Sequence, residues 1–467
     1  MFRRTTVTIS RLCVRYFLVL YSFDMHIDIE HLYEVYLKSR TVTTDSRAIT
    51  PGCIFFAFKG ASFDGNTFVP SALEQGAALC VTTDPQYSGN PQCLVVDDVL
   101  ATLQLLARHH REHLSIPVIG ITGTNGKTTT KELLSAVLSR RYRVHATAGN
   151  FNNHLGVPLT LLSIPADCEV AVVEMGANHP GEIDFLCNIA QPDFGLITSV
   201  GKAHLEGFGS FEGVVRTKTE LYRFLDSRKG TIFVNADNDI LLAEAKKCHD
   251  ASVLLYGSTN TEAIKQSGSQ AIATATYLGS NPYLSFYTEL GDQIYNITTH
   301  LFGGYNFANA LAALAVGRFF KVELFDIKQA LEQYNPSNNR SQLKSTAHNQ
   351  LLLDCYNANP TSMEAAVRSF ADMHTDHKVV MLGGMRELGT ESDAEHRRIF
   401  DLVKSCHFSQ TVLIGEEFAF AASDPAVLWF ADSLKAKDYF AQNPISGASV
   451  LLKGSNGTRM WLLEEVL

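Results

Sequence analysis

Charge is scarce in this chain, and positive charge scarcer. Of its 467 residues 19% are charged, and 39 Lys plus Arg against 48 Asp plus Glu leave a formal net charge of −9. That excludes a non-specific nucleic-acid binder, which needs a basic face to displace counterions. Anionic ligands must be held by local positive charge, not by a global field. Cysteine is sparse and unpatterned: nine residues, at 13, 53, 80, 93, 168, 187, 248, 355 and 406, with no CxxC pair. A disulfide framework or zinc ribbon is not expected, and a reducing cytoplasm fits. No uninterrupted apolar stretch approaches the ~18 residues of a membrane span, so a soluble protein without stable membrane insertion is expected. Internal repeats and low-complexity tracts are also missing.

What is present is apolar material. Hydrophobic residues make up 46% of the chain, ample for several cores and unlike a disordered, collagen-like or coiled-coil protein. At about 150 residues per domain, two or three domains are expected. Residues 1–24 carry Arg3, Arg4 and Arg11 and then LCVRYFLVLYSF. The run has the look of a signal peptide, but Arg15 interrupts it and no small-residue cleavage site follows. We read it as an extension outside the fold, before a natural start at Met25.

Three blocks follow: 25–114, 115–335 and 336–467. In the first, CIFFAF, ALCVTT and CLVVDD are short strand-like runs bounded by Gly, Pro and Asn, and Val99 to His113 has helical periodicity. In the second, IPVIGIT, VAVVEM, FGLITSV, GTIFVN and SVLLYG alternate with helical patterns, which predicts right-handed βαβ units and a mostly parallel sheet. An alanine-rich helix, Phe307 to Phe320, and a helical run at Asp326 to Gln333 close it. PSNNR (Pro336 to Arg340) reads as a hinge. The third block repeats the alternation with LLLD, KVVML, TVLIG, VLWF and SVLLK, a second doubly wound unit.

The sharpest local signal is GITGTNGKTTTKE, Gly120 to Glu132. A glycine-rich turn between strand and helix lets backbone N–H groups wrap a polyphosphate, with the helix N-terminus adding positive charge. Lys127 then reaches the terminal phosphates and Thr128 is placed for Mg²⁺. The strict GxxxxGK(S/T) pattern is broken by Ile121 at its first glycine. Ligands of open α/β sheets sit beyond the carboxyl ends of strands, so other strand ends matter. Glu174 ends VAVVE, and the strand from Phe194 leads to Lys202, His204 and Glu206. A carboxylate and an imidazole there suit a second divalent cation near the γ-phosphate; the bland readings are an N-cap partner and a surface histidine. Lys218, in a charged helical stretch, reads from the residues alone as a solvated lysine. Asn306 and Asn309 read as N-cap and N3 of the alanine-rich helix. Asp354 and Lys453 end the first and last strands of the third block. Asp45, Ser46, Arg47 and Lys59 sit in turns of the first block, where Arg47 and Lys59 suit a diphosphate.

Together these motifs resemble the Mur ligase family of ATP-dependent amide-bond ligases, in order from about Asp45 to the C-terminus. Family-wide marks are GTNGKT, Glu174, His204, the lysine of RTKTE and the YNxxNALAA helix. Marks of the member that adds D-alanyl-D-alanine are NFNNHLGVPLT, EMGANHPGEI, AHLEGFGS, DCYNANPTSM and GGMRELG. The resemblance implies a three-domain α/β architecture with a sugar-nucleotide domain, a central P-loop ATPase domain and a C-terminal Rossmann-like domain.

It also implies roles. Gly123, Thr124, Asn125, Gly126, Lys127, Thr128 and Thr129 would bind ATP phosphates. Thr128 and Glu174 would meet one Mg²⁺, and His204 with the Glu174 region the other. Lys218 would be carbamoylated as a further metal ligand, reversing the solvated reading. Asn306, Arg340 and Asp354 would contact ATP, and Ser46, Arg47, Lys59, Asn152, Asn153, Asn357, Asn359 and Lys453 the substrates. Those substrates would be UDP-N-acetylmuramoyl-tripeptide and D-alanyl-D-alanine, joined in the cytoplasm by a monomer through an acyl phosphate, for peptidoglycan synthesis. Four positions depart from the usual pattern: Tyr305 for histidine, Asn339 for glycine, Asn456 for arginine, and His154 at a site often acidic. The alternatives are a sister ligase, such as a folylpolyglutamate synthase, and a non-catalytic nucleotide switch.

Overall fold

The computed structural model describes residues 28–467 apart from 61, 268–270 and 338; the extension expected over residues 1–24, and the start at Met25, lie outside the described residues. Among the described residues the strands form three sheets. The first holds β1 (Val42–Thr43), β2 (Ile54–Phe56), β3 (Leu79–Thr82) and β4 (Cys93–Val95), parallel and in chain order.

The second is built on β5 (Val118–Thr122), β6 (Val144–Ala146), β7 (Val170–Glu174), β8 (Phe194–Ile197), β9 (Thr231–Asn235) and β10 (Ser252–Ser258). These are parallel, and β5 and β7 are buried at every residue, as expected of strands covered on both faces by helices. Because β5 lies between β7 and β8, chain connections leave it in opposite directions, and a crevice opens beyond its carboxyl end.

The sheet does not stop at β10. β11 (Ala271–Ser280) joins it in parallel, then β12 (Tyr283–Leu290) and β13 (Gln293–Phe302) run antiparallel as a meander. None of these three strands is expected from the patterns above, yet the residues carry their signal. β12 alternates half-buried and buried residues, and the Gly291-Asp292 link, with Gly291 at φ +58, is a two-residue hairpin turn.

The third sheet has β14 (Gln342–Ser345) antiparallel on its edge, and β15 (Gln350–Asp354), β16 (Lys378–Gly383), β17 (Gln410–Ile414), β18 (Val427–Phe430) and β19 (Ser449–Lys453) parallel, in the order β14-β15-β19-β16-β17-β18. The segment from Tyr334 to Asn339 that links it to the second unit has neither helix nor strand at its described residues.

The first unit is not a separate bead. Its helices Ile29–Ser39 and Val99–Glu112 share one apolar core with the Gly156–Leu162 and Glu182–Ala190 helices of the second. Tyr36 Oη donates to the Leu162 carbonyl at 2.8 Å, and Arg111 reaches the Ala190 and Gln191 carbonyls and the Asp193 carboxylate at 2.8–3.0 Å. At this seam His110 is 1% exposed, with its Nδ1 3.2 Å from Tyr33 Oη. Burial, helped by Arg40, His113 and His109, lowers its pKa from 6.5 to about 4. The unfolded chain therefore takes up this proton first as pH falls. The seam loses stability between pH 6.5 and 4, by at most about 3 kcal/mol. In urea unfolding at pH 7 and 4.5, His110→Asn should lose less stability on acidification than the parent; an equal loss in both would refute the assignment.

Candidate functional site

The crevice beyond β5 is filled by the glycine loop. Gly123 and Gly126 have φ of +145 and +83, and both are hemmed in. A Cβ on Gly123 would lie 2.1 Å from Thr198 Oγ1, and one on Gly126 2.4 Å from Asn309 Oδ1. No side chain fits at either. Ile121, by contrast, is fully buried inside β5, so the turn begins beyond it and glycine is not required there. The residues after β8 brace the loop. Thr124 and Asn125 donate their N–H groups to the carbonyl and hydroxyl of Ser199 at 2.8 and 3.0 Å, and Thr198 Oγ1 donates to the Asn125 carbonyl at 2.6 Å. Lys127 opens the Lys127–Leu138 helix and turns its Nζ back to the Gly123 and Thr124 carbonyls at 2.8 and 3.1 Å. Burial pulls its pKa down while Glu174 opposes that.

The β5–β7 register sets Glu174 beside Ile121, next to the loop. It is 1% exposed, and its Oε1 accepts from Thr128 Oγ1 at 3.2 Å and Asn152 Nδ2 at 2.8 Å. Its Oε2 is buried with no partner. An orphaned, buried carboxylate oxygen beside a phosphate-binding loop fits a divalent cation. Among the described residues, no group of three or more His, Cys, Asp or Glu gathers there to hold a metal. A cation would therefore rely on the Thr128 hydroxyl and on oxygens brought by a phosphate or a modified side chain.

His204 lines the same cavity as Glu174, and a residue of the third unit engages its ring. His204 sits at φ +51, and its Nδ1 bonds Glu387 of the third unit, itself at φ +61. Burial lowers the imidazole pKa against the opposing pull of Glu387.

Lys218 corrects the residue-level reading outright. It ends the Phe211–Lys218 helix at 2% exposure, with Nζ 3.1 Å from the Ala177 carbonyl and 5.3 Å from the Phe208 ring centroid. Burial, reinforced by repulsion from Lys127, drives its pKa well below the usual lysine range. A helix terminus folded under a loop is buried by that loop, which helical periodicity does not register.

The two asparagines hold the expected N-cap and N3 positions, but their side chains are used otherwise. Asn306 occupies the N-cap position of the Phe307–Phe319 helix but caps nothing with its side chain. Its amide donates to the Phe302 carbonyl and accepts from Asn309 Nδ2, both at 2.8 Å, while Asn309 Oδ1 accepts from Thr130 Oγ1 at 3.1 Å. The pair straps this helix to the glycine-loop helix.

Across from the loop stands the carboxyl edge of the third sheet. Register places Asp354 beside Lys453, and their side chains pair at 2.7 Å. The Arg340 guanidinium lies 3.7 Å over the Tyr356 ring. Asn357 gives its carbonyl to Lys453 at 3.4 Å. Asn359 caps the Pro360–Ala371 helix and donates its amide to Asn125 Oδ1 at 2.7 Å, so its side chain is spent on a cap and a bridge between units. Lys202 adds a second bridge, to Glu395 at 2.8 Å.

One cavity of about 1170 Å³ is walled by both units. It collects Thr124, Asn125, Gly126, Lys127, Thr128, Thr129, Asn152, Asn153, Glu174, His204, Asn306, Arg340, Asp354, Asn357 and Lys453, with Lys218 behind the wall under Ala177. Ser46, Arg47 and Lys59 are elsewhere, in the first unit: Ser46 and Arg47 in one turn, half-buried and exposed respectively, and Lys59 exposed in a β-bridge to Asp64. Arg47 forks onto Asp45 at 2.7–2.9 Å, holding that carboxyl down to about 2, and Lys59 pairs with Asp64 at 3.0 Å. Sequence reasoning missed Asn235, the last residue of β9, and Asp237 just after it, which line the same cavity. Their NADND context reads as an ordinary turn; their position at the carboxyl end of a strand was the available signal.

A phosphate-binding loop at the switch point of one sheet, facing the carboxyl edge of another across a shared cavity, defines a three-unit ATP-dependent amide-bond ligase. The chain belongs to the Mur ligase family. It matches the family models for the Mur ligase middle domain (residues 121–317), the Mur ligase glutamate ligase domain (339–456) and the Mur ligase family catalytic domain (38–111). It is similar to the UDP-N-acetylmuramoyl-tripeptide–D-alanyl-D-alanine ligase of Escherichia coli, at 35% identity over 433 residues, covering 91% of this chain and 92% of that one. The Bacillus subtilis ligase of the same name is 33% identical over 438 residues, with coverage of 91% and 92%. A crystal structure of MurF from Acinetobacter baumannii superposes with a TM-score of 0.80 at 31% identity, covering 91% of this chain and 93% of that one.

Proposed function

We propose that this chain joins D-alanyl-D-alanine to the terminal carboxylate of UDP-N-acetylmuramoyl-tripeptide with cleavage of ATP, forming UDP-N-acetylmuramoyl-pentapeptide for peptidoglycan synthesis. The observation that carries the reading is the single cavity in which Lys127 and the orphaned Glu174 face Arg340, Asp354 and Lys453. Similarity to curated ligases of that name across nine-tenths of the chain supports the substrate choice.

A carboxylate is a poor electrophile, so the amine needs it activated. The loop N–H groups and Lys127 hold the ATP phosphates and offset charge on the transferring phosphoryl. The tripeptide carboxylate oxygen attacks the γ-phosphorus and ADP leaves. The dipeptide nitrogen then attacks the acyl carbon of the resulting acyl phosphate, and inorganic phosphate leaves. Bound magnesium supplies further charge neutralisation on the phosphoryl; Thr128 and Glu174 would hold one ion, and His204 with a carbamoylated Lys218 the other. Water would destroy the acyl phosphate. The Asn125–Asn359 and Lys202–Glu395 bridges keep the third unit against the second and limit its entry. Ser46, Arg47 and Lys59 are assigned the uridine diphosphate end, in the first unit. No helix among the described residues is long and apolar enough to cross a membrane, and nucleotide substrates fit a cytoplasmic enzyme.

Phosphate release across a matrix of substrates tests this. Release is expected with ATP, UDP-N-acetylmuramoyl-tripeptide and D-alanyl-D-alanine together, with a UDP-linked pentapeptide detected by mass. Release with a different acceptor or amino acid would assign a sister ligase, and none under any condition would assign a nucleotide switch.

A further inference from the structure

A second cavity, of about 200 Å³, adjoins the first on the side of the third unit. The two share His204, Asn357 and Glu387 in their walls, so a molecule in the smaller one has an end at the larger. Of the charged groups lining it, Glu387 and His204 are bonded to each other, which leaves Arg386. The loop after β19 faces that arginine with neutral groups, Ser455, Asn456 and Gly457. A Cβ built on Gly457 would be 3.9 Å from Arg386 Nε, so the guanidinium lies over this loop. Its ion pair with Glu417, Nη1 to Oε1, is long at 3.4 Å, and the side chain is 61% exposed. A guanidinium presents five N–H donors, and one long contact leaves most of the fork for a ligand.

The ligase reading requires a second substrate with an amine at one end and a carboxylate at the other. The amine must reach the acyl carbon in the larger cavity, and the carboxylate needs a cation once it leaves water. Extended, a dipeptide spans about 7 Å between the two. We infer that the smaller cavity receives D-alanyl-D-alanine with its carboxylate on Arg386 and its amine at the shared wall of His204 and Glu387. The inference rests on the ligase reading and adds to it the group that selects a free carboxylate on the incoming dipeptide.

Steady-state kinetics with D-alanyl-D-alanine and with its C-terminal amide test the assignment. The parent should prefer the acid. Arg386→Ala should raise KM for the acid by about 10–100-fold, the equivalent of a lost charge-assisted pair, with KM for ATP unmoved and acid and amide now used alike. Arg386→Gln, which keeps neutral hydrogen bonding, should show the same loss of preference, and Arg386→Lys should restore part of it. A parent that turns over the dipeptide while Arg386→Ala and Arg386→Gln still favour the acid as strongly overturns the role of Arg386 alone. A parent that releases no phosphate with this substrate pair overturns the ligase reading and the subsite with it.

Discussion

Replacing Lys127 with alanine is expected to lower kcat by about a thousandfold or more while the chain stays folded. The magnitude follows from what one preorganised cationic donor is worth at a transferring phosphoryl in a desolvated site. The fold should survive because Nζ bonds only the Gly123 and Thr124 carbonyls of its own loop. The loop's shape is held by other groups: the left-handed Gly123 and Gly126, and the Ser199 and Thr198 bridges. Removing a buried ammonium also removes its desolvation cost. Lys127→Arg should recover little, since a planar fork does not fit where a compact ammonium sits. Single-turnover phosphate release, alongside thermal unfolding, checks both halves. A kcat within tenfold of the parent would sink the phosphate assignment, and a collapsed melting transition would make the loss structural.

Lys218→Ala is expected to cost about a hundred- to a thousandfold in kcat, with partial recovery on adding short carboxylic acids. The reason begins with burial. A lysine at 2% exposure, repelled by Lys127, has its pKa driven well down. The direction favours the neutral amine at pH 7, and the neutral amine is the form that adds carbon dioxide to become a carbamate. Truncation removes that anion and leaves room beside the Ala177 carbonyl for a small carboxylate to replace it. Native mass spectrometry under carbon dioxide should detect one added carbamoyl group on the parent and none on Lys218→Ala. Full activity in the variant would leave Lys218 a packing residue. Lost activity without rescue and without the mass shift would assign it a structural part.

Legibility followed the range of the interactions involved. The glycine loop was readable because its chemistry is backbone chemistry over a few consecutive residues, and Glu174 because a strand end is a position in the chain before it is a place in space. The β11–β13 meander went unread although its hairpin turn and alternation are local. Helical alternation in the preceding βαβ units set an expectation that these strands do not meet. Lys218 was misread because burial by a distant loop leaves no periodic trace in its own helix. Asn309 holds its expected N3 position, but its bond to Thr130, 179 residues away, leaves no local sign.

The sequence by itself determined the class of chemistry: a glycine loop leading into Lys127, strands ending in Glu174, Asp354 and Lys453, and an anion that must be met by local charge in a chain of net charge −9. The tertiary structure alone decided which of those groups face one another. Sheet register put Asp354 on Lys453, loop packing buried Lys218, and the docking of the third unit gave His204 its partner Glu387. Side-chain pairing across sheets depends on how twisted layers pack, and packing is set by the whole set of apolar surfaces at once, so no local stretch of residues carries it.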